Sequence, residues 1–288
     1  MFQIIGILVV FGMVFGGFAL AGGHFDVIIK AAPFELMMIG GAGAGAFLIG
    51  NSMGGIKGGL GGFVKAMAGS KWKKQDYQDL LTLLFVLTKT MKTKGVVAIE
   101  AHIENPKDSK IFQNYPKILK DHFACDLICD TLRMMTMNLE DPHQVEDAID
   151  KQIEKHHNEA HQGAHALQNL ADALPALGIV AAVLGIIVVM MFKIGGDTAV
   201  VGQGIATALA GTFFGIFGSY CMVGPLATNC EFNGHAELTY MKVIKSSVIS
   251  FANGLPPLVA CEVGRRELGE DVRMSSGDLE TLLKSGGG

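Results

Sequence analysis

Four histidines stand close together, at His156, His157, His161 and His165, and three of them, His157, His161 and His165, fall at i, i+4 and i+8. On a helix that spacing puts three imidazoles on one face, and imidazole is a zinc ligand. The third lies two turns from the first, about 12 Å of helix rise, which is too far for one ion. No HExxH pattern occurs. The row therefore reads as a polar, exposed face. The five cysteines (Cys125, Cys129, Cys221, Cys230 and Cys261) match neither a disulfide framework nor a zinc signature. Cys125 and Cys129, one helical turn apart, read as reduced buried thiols. No nucleophile, base and orienting group fall together, which argues against a membrane enzyme and for a chain without catalytic residues, cofactor or metal. Lys89, Lys92, Glu100 and Glu104 make a mixed charged surface in "KTMKTKGVVAIEAHIENP". Such a surface is either a solvated face or an electrostatic dock for another protein.

The elements that carry these residues are set by composition. The chain has 288 residues, of which 50% are hydrophobic and only 17% charged. Soluble domains carry about 25% charge, so the deficit points to a membrane protein. The 38 glycines fit that reading, because membrane helices use glycine to bring backbones close. A net charge of -4 with no unopposed basic patch argues against nucleic-acid binding.

Crossing a bilayer takes about 20 apolar residues. Four segments qualify: Met1 to Gly23, Leu36 to Ile56, Ala173 to Phe192 and Thr198 to Cys230. The first lacks a basic flank and is too long for a cleaved signal, so it is expected to stay as a helix. His24 to Pro33 and "KIGGD" (Lys193 to Asp197) are expected as short outer loops. Lys57, Lys65, Lys71, Lys73 and Lys74 follow the second span, and Lys151 and Lys155 precede the third. Lysines beside span ends mark the cytoplasmic side, which puts both termini and the long middle loop inside. The expected division is 1–56 (two spans), 57–172 (cytoplasmic helical domain), 173–230 (two spans) and 231–288 (cytoplasmic helical tail).

The fold class is thus all-α: four transmembrane helices with a large helical domain between the second and third. Within that domain, Leu80, Leu81, Leu83, Leu84, Leu87 and Met91 recur as on one amphipathic helix from Asp76 to Ala101. "ENPKDS" breaks it, because the residue before a proline leaves helical space. A second helix is expected over Phe123 to Met137. A third starts with Asp141 as N-cap and Pro142 at the first helical position, and runs toward Pro175. The tail is helical around a break at "GLPP", and "SSGDLETLLKSGGG" is expected to fray.

No Asp, Glu, Lys, Arg or His is expected deep inside a span, with Glu35 placed at an outer boundary. An ion pathway needs an ionisable group in the membrane, so this chain either moves no ions or relies on a partner's carboxylate. The stripe Gly204, Ala208, Gly211, Gly215 and Ser219, with Thr212, either packs helices within the chain or forms a wall for a partner's helices.

Several stretches resemble, in order, the MotA/TolQ/ExbB proton-channel family and its flagellar stator branch. They are "VVFGMVFGGFALAGG", "GAGAGAFLIGN", "IENPKDSKIFQNYPKIL", "DALPALGIVAAVLGI", "GTFFGIFGSYCMVGPLAT" and "GLPPLVACEVGRREL". The resemblance covers residues 1 to about 270. "IENP" and "PP…EVGR" are particular to the MotA branch, and four spans argue against a TolQ/ExbB-like energiser of an outer-membrane system. A membrane scaffold without ion flow is the remaining alternative.

The resemblance implies an ion-conducting stator subunit in the bacterial inner membrane. It implies a pentamer around a dimer of a MotB-like subunit that supplies the membrane Asp. It further implies proton flow, with sodium as the alternative, driving torque on the rotor protein FliG. It assigns rotor contact to Lys92 and Glu100, helped by Lys89 and Lys94. Lys92 stands where relatives carry arginine, so it keeps the charge without the fork geometry. Pro175 and Pro225 match hinge or gating prolines, and Thr212, with Ala182 and Gly178, matches the channel lining.

Overall fold

A computed structural model describes residues 2–137, 142–192 and 197–286. The expected N-cap Asp141 and all of the "KIGGD" turn except Asp197 lie outside the described residues. Among the described residues there are only helices and turns. The chain divides into two compact units, 1–69 with 158–234, and 70–157 with 235–288.

The first unit holds α1 (Phe2–Leu20), α2 (Phe25–Gly50), α3 (Met53–Ala68), residues 158–192 of α9 (Pro142–Phe192), α10 (Thr198–Phe217), a π-helical segment (Gly218–Val223) and the start of α11 (Gly224–Ala252). Four stretches, Phe2–Leu20, Phe25–Gly50, Pro142–Phe192 and Thr198–Ala252, are long and apolar enough to cross a membrane. The expected outer loop at His24 to Pro33 is instead helix. Gly22, at φ 78°, closes α1, and α2 starts at once with Asp26 in its first turn. An acid there complements the helix dipole, so the charge read as loop chemistry begins the helix. Pro33 lies inside α2, which it enters without ending. Helix α2 stops at Gly50, six residues short of the expected span end at Ile56: Asn51 is extended, its side-chain amide donates to the Phe47 carbonyl at 2.8 Å, and Ser52 accepts from the Gly55 amide at 3.2 Å to cap α3.

Helix α3 packs through glycine. A methyl group on Gly163 would stand 2.5 Å from the Gly58 carbonyl carbon, and one on Gly62 would stand 2.6 Å from Cys230 Sγ. The outer faces are apolar and open: Ile179, Val180, Val183, Leu184 and Ile187 of α9 are about half exposed. No residue of α1 is buried.

The second unit is packed the opposite way, with large side chains. It holds α4 (Lys74–Lys94), α5 (Val97–Glu104), α6 (Lys110–Gln113), α7 (Pro116–Lys120), α8 (His122–Thr136), residues 142–157 of α9, residues 235–252 of α11, α12 (Pro257–Arg266) and α13 (Ser276–Gly286). Leu80, Leu81, Leu83, Leu84, Leu87, Ile99, Ile103, Phe112, Leu127 and Ile128 are fully buried in its core. Trp72 stacks on Tyr240 with ring centroids 3.8 Å apart, and the ammonium groups of Lys71 and Lys117 lie 5.0 and 5.2 Å from the indole. Lys245 bridges Glu146 and Asp150, tying α11 to α9.

Two expectations change here. The helix read from Asp76 to Ala101 is two helices. Gly95, at φ 84°, ends α4, and α5 begins at Val97. An apolar period survives such a break because Ile99 still points into the same core. The tail expected to fray is α13, whose Leu279 and Leu283 are buried. Their i, i+4 spacing, with Ser275 accepting from the Asp278 amide, was the available signal.

Glu262 anchors that tail. It accepts from Arg265 at 2.6 and 2.7 Å and from the Ser276 hydroxyl at 3.2 Å, while Arg265 also donates to the Met274 carbonyl. The Arg265 guanidinium holds its carboxyl down at about 2, against burial, which pushes the other way. A carboxylate depressed in the fold stabilises it above the unfolded value near 4.3, and that stabilisation disappears as pH falls toward 2. Glu262→Gln is therefore expected to speed tryptic release of α13 after Arg273 at pH 7. The thermal-stability gap between wild type and variant should close below pH 3.

Candidate functional site

The membrane helices meet at backbone contact. A methyl group on Gly178 of α9 would stand 2.8 Å from the Gly211 carbonyl oxygen and 3.0 Å from Gly215 Cα. One on Gly215 would stand 2.7 Å from the Leu174 carbonyl oxygen, and one on Gly185 would stand 2.8 Å from Ala208 Cβ. The stripe Gly204, Ala208, Gly211, Gly215 and Ser219 is buried along its whole length within this chain. Small residues let helix backbones approach in a medium as apolar as their own side chains. Gly178 and Ala182 belong to this contact, Ala182 being buried with its amide nitrogen against the Gly211 side. Thr212 is half-buried, next to Gly211 on the adjoining face of α10.

Glu35 corrects the reading of the spans. It lies ten residues into α2, is 3% exposed, and has its carboxyl over Gly211, whose hypothetical methyl would stand 2.4 Å from Glu35 Oε2. It is thus inside a span. The sequence-based window began at Leu36 because Asp26 and Lys30 looked like loop. The remaining signal was "PFELMMIGG", an acid embedded in an apolar run that continues on both sides.

Both prolines lie beyond the same end of the α9–α10 contact, where Leu174 meets Gly215. Pro175 follows Leu174 inside a continuous α9 and cannot donate to the carbonyl one turn back. Pro225 comes directly after the π-helical segment at Gly218–Val223. A wider turn there accommodates the proline's missing donor, and single π turns recur at functional sites. The sequence pattern carries no sign of this segment, because apolar periodicity does not register one added residue per turn.

On the second unit, Lys92, Lys94 and Glu100 are exposed, the lysines in the last turn of α4 and Glu100 in the first turn of α5. Lys89 is exposed with its ammonium 5.6 Å from the Phe85 ring. Gly95 separates the two charges onto different helices. Glu104 is taken up by Arg133, whose Nε donates to it at 2.7 Å.

The histidines are drawn apart into separate contacts. His156 stacks on Phe123 with centroids 3.7 Å apart and lies 4.0 Å from Glu237, His161 lies 3.6 Å from Glu231, and His165 faces Asn169 at 3.2 Å. Among the described residues, no group of three or more His, Cys, Asp or Glu side chains could hold a metal. Cys125 and Cys129 are buried thiols, and none of the five cysteines is in a disulfide.

Comparison with known proteins matches the chain to two family models: motility protein A N-terminal over residues 4–95, and the MotA/TolQ/ExbB proton channel family over residues 119–242. Motility protein A of Salmonella typhimurium is 39% identical over 285 residues, covering 99% of this chain and 96% of that one. The chain belongs to the motility protein A family. Motility protein A of Escherichia coli is 38% identical over the same coverage, and chemotaxis protein LafT of Vibrio parahaemolyticus is 34% identical over 98% of both chains. The fold is shared with the structure of C. jejuni MotAB (TM-score 0.78, 18% identity, 95% of this chain and 98% of that one). It is also shared with the flagellar MotAB stator complex from Bacillus subtilis (TM-score 0.73, 22% identity, 96% and 97%). This motility protein A chain is therefore a membrane protein of a channel family, not of an enzyme family.

Gly178→Ala is expected to force α9 and α10 apart and lower thermal stability in detergent by about 1–3 kcal/mol, the usual range for an overpacked site. Gly202→Ala is the control, since a methyl there meets nothing within 4 Å. Equal melting of the two variants would refute the backbone contact.

Proposed function

We propose that this chain is the ion-conducting stator subunit of a flagellar motor, coupling proton flow across the inner membrane to torque. Five copies surround a MotB-like dimer that supplies a membrane Asp, and the assembly works against FliG. The observation that carries this reading is the α9–α10 pair. Its inner faces are locked by glycine, its outer α9 face is open and apolar, and both prolines stand beyond one end of the contact, the end at Leu174 and Gly215. An open apolar face of that size suits lipid or other helices, and a ring of copies supplies the latter.

The partner's Asp is a family-level expectation. This chain also carries an acid of its own within a span, Glu35. Protonating the partner's Asp removes a charge from an apolar site and changes which contacts it favours. Thr212 offers a hydroxyl toward that path, while Gly178 and Ala182 set its wall from beneath by fixing how close α9 lies to α10. Pro175 and Pro225 serve as the places where α9 and α11 flex. Lys92 and Glu100, with Lys89 and Lys94, are the torque contacts, and they suit that role because they are exposed around the junction of α4 with the short α5, both anchored in the core of the second unit. The lysines beside the spans place both termini in the cytoplasm.

The test uses cells carrying the chain with its MotB-like partner. Swimming speed at fixed pH is expected to be indifferent to sodium, and a speed that tracks sodium would replace the proton by sodium. Pro175→Ala is expected to impair swimming while the protein stays in the membrane at normal amount. Normal swimming by that variant would remove the hinge role.

A further inference from the structure

Among the described residues of the membrane unit, Glu35 is the buried polar group that packing leaves unexplained. Measured along α2 from Phe25 it is ten residues in, about 15 Å of rise; Ala182 is ten residues from the Phe192 end of α9, again about 15 Å. Gly211 is thirteen residues from Thr198, about 20 Å along α10. Against a hydrocarbon core of about 30 Å, three helices agree on a depth near the middle. The carboxyl is 3% exposed, and its Oε2 has no hydrogen-bond partner.

The surroundings do not suit an anion. From 173 to 192 α9 carries no Asp, Glu, Lys, Arg or His, and neither does α10 from Thr198 to Phe217 or α1 from Phe2 to Leu20. On α2 itself the charged groups are Asp26 and Lys30, nine and five residues before Glu35. A carboxylate with no cation near it and one oxygen unpartnered costs several kcal/mol to bury. A neutral acid does not. The surroundings suit a metal cation no better. Hard cations take several oxygen ligands, whereas the residues facing Glu35 across α9 and α10 are Ala182 and Gly211, with Thr212 the adjacent hydroxyl. The one cation that needs a single oxygen is the proton.

We propose that Glu35 is a proton-binding site within the membrane bundle. In the resting protein the proton sits on the carboxyl over Gly211. When α10 moves away from α2 at Gly211, water reaches the carboxyl, which gives its proton to that water as hydronium and becomes a carboxylate. It is reprotonated from water before the contact closes. The site is separate from the acid expected from the partner, and its role in transport rests on the proton-conducting reading above.

Infrared difference spectroscopy of the full chain assembled with its MotB-like partner in lipid tests the site, wild type against Glu35→Gln, at pH 7. The expected result is a protonated-carboxyl C=O band present in wild type, lost in the variant, and downshifted in D2O. Loss of carboxylate bands instead would mean that Glu35 is ionised and would overturn the proposal. Gly211→Ala, which places a methyl on the carboxyl, is expected to shift that band while the assembly persists; an unmoved band would refute the placement. For the exchange step, proton uptake is measured in vesicles with the same two proteins. A fall in uptake in Glu35→Gln supports exchange, and unchanged uptake overturns it. Absence of uptake in wild type would count against the conducting function alone, because the infrared band still decides whether Glu35 holds a proton.

Discussion

Everything in the membrane unit depends on the distance between α9 and α10. At Gly178, Gly211 and Gly215 the two backbones touch, with no space for even a methyl group. In water such a contact would sacrifice burial for nothing. Between lipid tails there is no hydrophobic gain from bringing helices together, so close packing of backbones is what holds them. The contact then dictates the rest. Large side chains are excluded from the inner faces and accumulate on the outer ones, where Ile179, Val183 and Ile187 stand half exposed. Helix α2 closes over the same spot, with Ile39 joining Leu174 and Ala181 in a small apolar cluster.

The second unit shows the opposite economy in the same chain. Its core is leucine and isoleucine, its edges are ion pairs, and its glycines serve chain reversals at Gly95 and Gly254 as well as one close helix approach, at Gly264 against α11. Gly95 and Gly254 are needed for backbone conformation, Gly178 and Gly215 for absence of bulk. One residue type answers two unrelated demands because water drives burial in one unit and is missing from the surroundings of the other.

This difference explains what could be read from the sequence. Spans one, three and four stood out because uninterrupted apolar length is a strong signal. The start of α2 did not, because Asp26 and Lys30 in the first two turns of a helix look the same as loop charges until the helix is seen. Gly95 was passed over since an apolar period continues across it. The tail was dismissed for its polar composition, although two leucines one turn apart suffice when α4 offers them a groove. The small-residue stripe was legible as a helix contact, but spacing alone cannot say whose helix fills it. Lys92 and Glu100 are exposed charges, Pro225 lies just past the π-helical segment, and Pro175 sits inside a continuous α9. The histidine row, read as a polar exposed face, is exposed at His161 and His165 but half-buried at His156 and His157, because neighbours that linear spacing does not reveal pack on those rings.

Glu35 and Gly211 are best understood together. The acid needs the space above a residue without a side chain, and any β-carbon at 211 would expel it. Conversely, a glycine in mid-helix costs about 1 kcal/mol relative to alanine and needs a return. Close approach of α9 supplies part of that return, since Ala182 lies against the same position. Helix packing alone, however, would be served as well by an apolar residue at 35, which would avoid burying an oxygen without a partner. A fold that keeps both the glycine and the acid accepts two costs at one level of the membrane, the acid on α2 and the glycine on the helix that also carries Thr212. Costs that coincide in space and can be explained by one ligand point to function rather than to packing.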